Sequence, residues 1–131
     1  MTFLIDHNLG GHAEILLGNI ASQGWLTILS IRFVTFKEIN LPINRSDRMV
    51  WRTAQSNRMI LLTANRSMKE KDSLEQVLRE ENAADSLPVI TIGNPDRVLA
   101  DRVYRNRCLD RILEISIDIE NFMGVGRLFV P

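Results

Sequence analysis

An α/β fold with a mainly parallel sheet is predicted by two observations. Short apolar runs alternate with stretches whose apolar residues recur at helical spacing, and those runs are almost unbroken by polar residues. Strands of that kind belong to sheets covered on both faces. The expected architecture is a single three-layer α/β/α domain spanning residues 1–131. That length buries a substantial core without crosslinks.

The elements follow in order. Thr2–Ile5 is a short run of strand formers, too brief for a helix. After Gly10 and Gly11, residues 12–23 carry Ala13, Leu16, Leu17 and Ile20 at helical spacing, and Gly24 suits a stop. Residues 25–31 read as a second strand. Residues 35–39 suit a helical turn, while Pro42 and Asn44 mark loop. Ser46 is an N-cap for a helix through Asn57, with Val50, Trp51 and Ala54 as its apolar stripe. Residues 59–63 give a third strand. Asp72 or Ser73 then caps a helix with Leu74, Val77 and Leu78 on one face; both Asp72-x-x-Glu75 and Ser73-x-x-Gln76 fit a capping box.

Val89–Ile92 reads as a fourth strand. Asn94 and Pro95 are a cap and first helical position, opening a long helix that extends toward Glu120. Ile115, Ile117 and Ile119 near its end also fit a strand. Gly124 and Gly126 bracket a turn, and Arg127–Val130 is a last short strand. No internal repeat, low-complexity segment or interdomain linker is visible.

Composition narrows the classes. At 45% hydrophobic and 24% charged the chain matches a soluble globular protein, not a disordered one. One cysteine, Cys108, precludes an intrachain disulfide and zinc sites of the usual Cys/His spacing. It reads as a small buried hydrophobe. The start shows no signal peptide and no segment reaches transmembrane length, so a cytoplasmic protein without a membrane partner is expected. Sixteen basic residues balance sixteen acidic ones overall. Between Arg45 and Lys71, however, seven basic residues face two acidic ones. Such runs are usually solvated surface, yet beside carboxylates they suit a phosphate-bearing substrate.

The functional lead is a set of polar residues just past strand ends. Asp6 closes the first strand and is followed by His7 and Asn8. Asn65 and Asp72 follow the third strand, and Asp47 heads the helix before it. Residues beyond the carboxyl ends of parallel strands gather on one edge, where open α/β sheets place their sites. Hard divalent cations take such oxygen ligands. Taken singly, Asp47 and Asp72 also suit helix first turns, and Asn65 suits a turn. His7 and His12 have no evident acid–base partner. The chain carries neither nucleotide-loop glycine pattern and no nucleophile elbow.

FLIDHNL at residues 3–9 and SDRMVWRTAQSNRMILLTANR at residues 46–66 resemble a PIN-like domain. More narrowly, they are similar to small bacterial PIN-like proteins related to the toxin nucleases of toxin–antitoxin pairs. The resemblance rests on an acid closing the first strand (Asp6), an acid opening the helix before a core strand (Asp47), and the polar Thr63-Ala64-Asn65 after it. It covers about the first 80 residues; the remainder agrees in element order. Asn65 stands where many members place an Asp, and Met68 where an acid often follows. Asp72 is the nearby substitute, and Glu38 is the nearest match for a further glutamate of a middle helix.

The resemblance implies phosphodiester hydrolysis, usually of RNA rather than DNA, with Mg²⁺ or Mn²⁺ as cofactor. Asp6 would be the principal metal ligand. Asp47 and Asp72 would complete the metal set, and Asn65 would join these acids in the catalytic group. Asn8, Arg48, Arg66 and Lys69 would be substrate contacts. The implied partners are nucleic acid and an antitoxin-like protein, and a homodimer fits the same reading. A rival from another class is a non-catalytic PIN-like module that binds a protein or nucleic acid on the same edge. Some other small α/β enzyme using that edge is a third, because fold does not dictate function.

Overall fold

A computed structural model describes residues 1–65 and 73–131. Five parallel strands form one sheet: β1 Thr2–Ile5, β2 Arg32–Thr35, β3 Ile60–Thr63, β4 Val89–Ile92 and β5 Arg127–Val130. Their order is β2-β1-β3-β4-β5. The helices between them are α1 Gly10–Ser22, α2 Trp25–Leu29, α3 Asp47–Ser56, α4 Leu74–Glu81, α5 Pro95–Ala100 and α6 Arg102–Ile117.

Alternation along the strands divides the core into two layers. Phe3, Ile5, Ile60, Leu62, Ile90 and Ile92 pack with α1, α5 and α6 through Leu16, Ile20, Val98, Leu109 and Ile112. Leu4, Val34, Leu61 and Val89 face the other way, onto Val50, Trp51 and Ala54 of α3 and Leu74, Val77 and Leu78 of α4. The sheet is therefore covered on both sides, as its unbroken apolar strands require. β3 and β4 are buried at every residue.

Two expected elements differ. Residues 25–31 are not a strand: α2 occupies Trp25–Leu29, bracketed by the left-handed residues Gly24 (φ 80°) and Ser30 (φ 50°). The second strand starts one residue after Ile31 and buries only Val34 fully, as an edge strand can. Seven apolar-rich residues fit a helical turn or a strand equally well by pattern. Further along, the single long helix is broken at Asp101. Its Oδ1 accepts from Val103 N (3.0 Å) and Tyr104 N (3.2 Å), which starts α6 afresh. The helix then persists through Ile117, so the isoleucine alternation is helical for Ile115 and Ile117.

The caps read from sequence are present. Ser46 Oγ accepts from Met49 N at 3.2 Å, and Asn94 Oδ1 accepts from Arg97 N at 3.3 Å with Pro95 at the first turn. Ser73 caps α4, its Oγ accepting from Gln76 N at 3.3 Å. Asp72, the alternative cap, lies outside the described residues. No helix among the described residues is long and apolar enough to cross a membrane.

Candidate functional site

The chain leaves β1 for β2 on one side and later returns to place β3 on the other side of β1. Between β1 and β3 the direction of winding reverses, and at such a point the connections part to leave a crevice beyond the strand ends. A cleft of about 410 Å³ lies there, lined by Asp6, His7, Asn8, Arg45, Asp47, Thr63 and Asn65. Its apolar lining comes from Phe36, Ile43, Val50, Leu61 and Leu74.

Asp6, Asp47, Thr63 and Asn65 are held by one another and by the backbone around them. Asp6 N donates to Leu62 O at 2.9 Å, which carries the β1–β3 pairing one residue past the strand and aims Asp6 over the sheet edge. Thr63, fully buried, donates through Oγ1 to Asp6 Oδ2 at 2.5 Å and accepts from Asn65 N at 2.9 Å. Asn65 Nδ2 then donates to Asp47 Oδ2 at 2.8 Å. The same Asp47 oxygen accepts from Leu74 N, the first helical residue of α4, at 3.0 Å. A continuous chain thus runs from Asp6 through Thr63 and Asn65 to Asp47. Asp47 also sits in the first turn of α3, so its carboxylate meets the positive ends of two helices. No hydrogen bond engages Oδ1 of Asp6 or of Asp47 among the described residues.

A further residue supports this chain from behind. Arg127, at the start of β5, donates through Nη1 to Asn65 O at 2.6 Å and toward Thr91 Oγ1 at 3.4 Å. Its side chain is 6% exposed, and Glu75 Oε2 lies 3.7 Å from its Nε. Burial lowers the Arg127 pKa, opposed by the nearby charges of Glu75 and then Asp47. A buried cation close to the site offsets part of the negative charge that its carboxylates concentrate.

The residues singled out in the sequence are distributed as follows. Asp6, Asp47, Asn65 and Asn8 share the cleft. Arg48 does not line it: its guanidinium is bound by Glu80 and Glu81 on α4, and Arg52 joins Glu81 at 2.7 Å. Arg52 first, then Arg48, hold the Glu81 carboxyl below its usual range against the opposing effect of burial. Asp72, Arg66 and Lys69 lie outside the described residues. Glu38 accepts from Thr35 N and Oγ1 and so closes a local turn. Both His12 ring nitrogens are buried without a hydrogen-bond partner among the described residues. Cys108 is buried away from the cleft lining.

Two residues were not singled out from sequence. Arg45 was visible only as one cation in a basic run. Arg127 was visible only as a charge opening an apolar strand. Among the described residues no three of His, Cys, Asp and Glu stand close enough together to hold a metal ion. No family model matches the chain, and neither a curated protein nor a solved structure matches it.

Proposed function

We propose that this protein is a metal-dependent nuclease of the PIN-like type, acting on RNA through the cleft between β1 and β3. The observation that carries the reading is the meeting of Asp6, Asp47 and Asn65, distant in sequence, in one polar cleft at a point of winding reversal. Arg45 at the same cleft adds a cation suited to phosphate.

The donor set fits a hard cation. Asp6 and Asp47 each keep one carboxylate oxygen unengaged among the described residues, and oxygen ligands are what Mg²⁺ and Mn²⁺ prefer. Asp6 and Asp47 would hold the ion, with Asp72 as the third carboxylate. When bound, such an ion lowers the pKa of water and offsets charge on the phosphoryl group. The chain's own part is positional. Thr63 orients Asp6, Asn65 orients Asp47, and the two helix N-termini favour an anionic phosphodiester near them. Phe36, Val50 and Leu61 give the cleft apolar walls, which strengthen its electrostatics.

A non-catalytic module is favoured by one observation. Asp47 Oδ2 is committed twice, to Asn65 and to the α4 backbone, so that acid has a complete structural duty. The deciding measurement is Mn²⁺ titration by calorimetry alongside cleavage of a labelled RNA. Binding that vanishes in Asp6→Asn, together with Mn²⁺-dependent cleavage, supports the enzyme. Absence of both leaves the binding module.

A further inference from the structure

A second pocket, of about 340 Å³, opens between α4 and the edge strand β5. Its lining includes Arg127, Glu75, Arg79, Asn82 and Phe129. Two of these carry buried polar atoms without a hydrogen-bond partner among the described residues. Arg127 spends Nη1 on Asn65 O, while Nε and Nη2 are buried and have no hydrogen-bond partner among the described residues. Those two nitrogens are the side-on fork of the guanidinium, the pair that grips two oxygens of one oxyanion. Asn82 donates through Nδ2 to Gly124 O at 2.7 Å, while its Oδ1 is buried without a hydrogen-bond partner among the described residues. A carbonyl can only accept, so this bond sets the amide orientation and leaves Oδ1 as an open acceptor.

Unpaired buried polar groups are costly, and the walls of one pocket hold, just beneath its surface, an unpartnered donor pair and an unpartnered acceptor that a ligand reaching them would complement. Glu75 does not supply it. Its two oxygens stand 3.7 Å from Arg127 Nε and 4.0 Å from Arg79 Nε, outside hydrogen-bond range of both. Phe129 is 53% exposed, and the Arg127 guanidinium lies 5.5 Å from its ring centroid. Nucleobases stack on exposed aromatic side chains, and a neighbouring arginine adds a cation–π contribution.

We propose that this pocket binds one nucleotide unit, its phosphate on the Arg127 fork, a sugar hydroxyl donating to Asn82 Oδ1, and its base against Phe129. The volume lies near the lower end of the range of roughly 300–1,000 Å³ common for ligand sites. Two guanidiniums against one carboxylate leave a net positive lining for the phosphate. On entry of the phosphate, Glu75 turns to Arg79, its partner one helical turn away. That the nucleotide belongs to an RNA strand reaching from the cleft rests on the nuclease reading; the pocket's affinity does not.

The test is calorimetric titration with adenosine 5′-monophosphate, and separately with inorganic phosphate, in chelator. Without divalent metal, the result is independent of whether the cleft cuts RNA. Both should bind, the nucleotide more tightly. Arg127→Lys keeps the charge but loses the fork, and should weaken both by about tenfold or more. Phe129→Ala should weaken the nucleotide alone, and Glu75→Gln should tighten both by removing a competing carboxylate. The last two substitutions lie at exposed or partly exposed positions, so they decide the matter even if Arg127→Lys fails to fold. Displacement of the nucleotide by an RNA oligomer assigns the site to a strand, and binding without displacement assigns it to a free nucleotide. No binding by the wild type, or binding indifferent to both Phe129→Ala and Glu75→Gln, overturns the proposal.

Discussion

The Thr63 hydroxyl lies 2.5 Å from Asp6 Oδ2, across 57 residues of sequence, while accepting from Asn65 N. One buried side chain therefore sets both the first acid of the cleft and the loop that reaches Asp47. Thr63→Val keeps the shape and removes both bonds. It should cost about 1–3 kcal/mol, the penalty for leaving buried polar groups unpaired. Urea denaturation measures that loss, and Mn²⁺ affinity should fall with it. A variant as stable as the wild type would show that Asp6 is oriented by other means.

Asp6→Asn separates ligand from scaffold. The amide oxygen can still accept from Thr63, so melting in chelator should be unchanged or slightly higher as acid repulsion eases. Stabilisation by added Mn²⁺ should shrink. RNA cleavage should drop by about a hundredfold or more, since even residues behind a metal ligand commonly cost ten- to a hundredfold. Much lower melting in chelator, with a wild type indifferent to Mn²⁺, would make Asp6 a structural acid.

Asp47 holds α4 as well as facing the cleft. Asp47→Ala removes the acceptor for Leu74 N and Asn65, and should destabilise by about 1.5–3 kcal/mol, as for other bonds to charged groups. Asp47→Asn keeps an oxygen for Leu74 N and should cost visibly less. Both should lose Mn²⁺ affinity. Equal stability losses in the two would mean that the charge, not the helix-end bond, is what matters.

The basic run divides into two jobs. Arg45 lines the cleft, so Arg45→Ala should lower the salt dependence of RNA binding by roughly one phosphate contact. Arg48 serves Glu80 and Glu81, so Arg48→Ala should lower stability while leaving that slope nearly unchanged. Filter binding over a salt series distinguishes them. A reduced slope in Arg48→Ala would move that residue into the substrate path.

Burial raises the Cys108 thiol from an ordinary 9.0 to about 11. Between these values the unfolded chain gives up its proton while the folded chain retains it. Stability from this residue is therefore complete below about pH 9 and declines as pH rises toward about 11. Cys108→Ala should flatten that part of a denaturation series run from mild to strong alkali. Alkylation near neutral pH should likewise require unfolding, because the thiolate is the reactive form. Rapid labelling of the native protein would contradict the burial.

What could be read from the sequence was local or followed from topology. Ser46, Ser73 and Asn94 announce their helices because a cap needs only the next three residues. The meeting of Asp6, Asp47 and Asn65 was legible because strand ends of a parallel sheet share one edge. Residues 25–31 misled because an apolar run carries no period when so short, and a serine gives little sign of the left-handed turn it adopts at Ser30. Asp101 was hidden inside a helix-forming stretch whose neighbours tolerate either reading. Arg127 depended on long-range pairing: its value comes from lying beside β4, within reach of a carbonyl 62 residues earlier. Arg48 looked like Arg45 in sequence, and only the acids of α4 tell them apart.

The pinning of Asn65 by β5 has a consequence for the order in which the fold can tighten. Asp6, Asp47 and Asn65 belong to the strand and helix units around β1 and β3, whereas the guanidinium that holds the Asn65 carbonyl comes from a strand 62 residues later. Pairing of β1 with β3 can bring the acids together, yet the Asn65 backbone gains this tether only when β5 docks on β4. An intermediate with β5 undocked would carry the acids of the cleft with one of their supports missing.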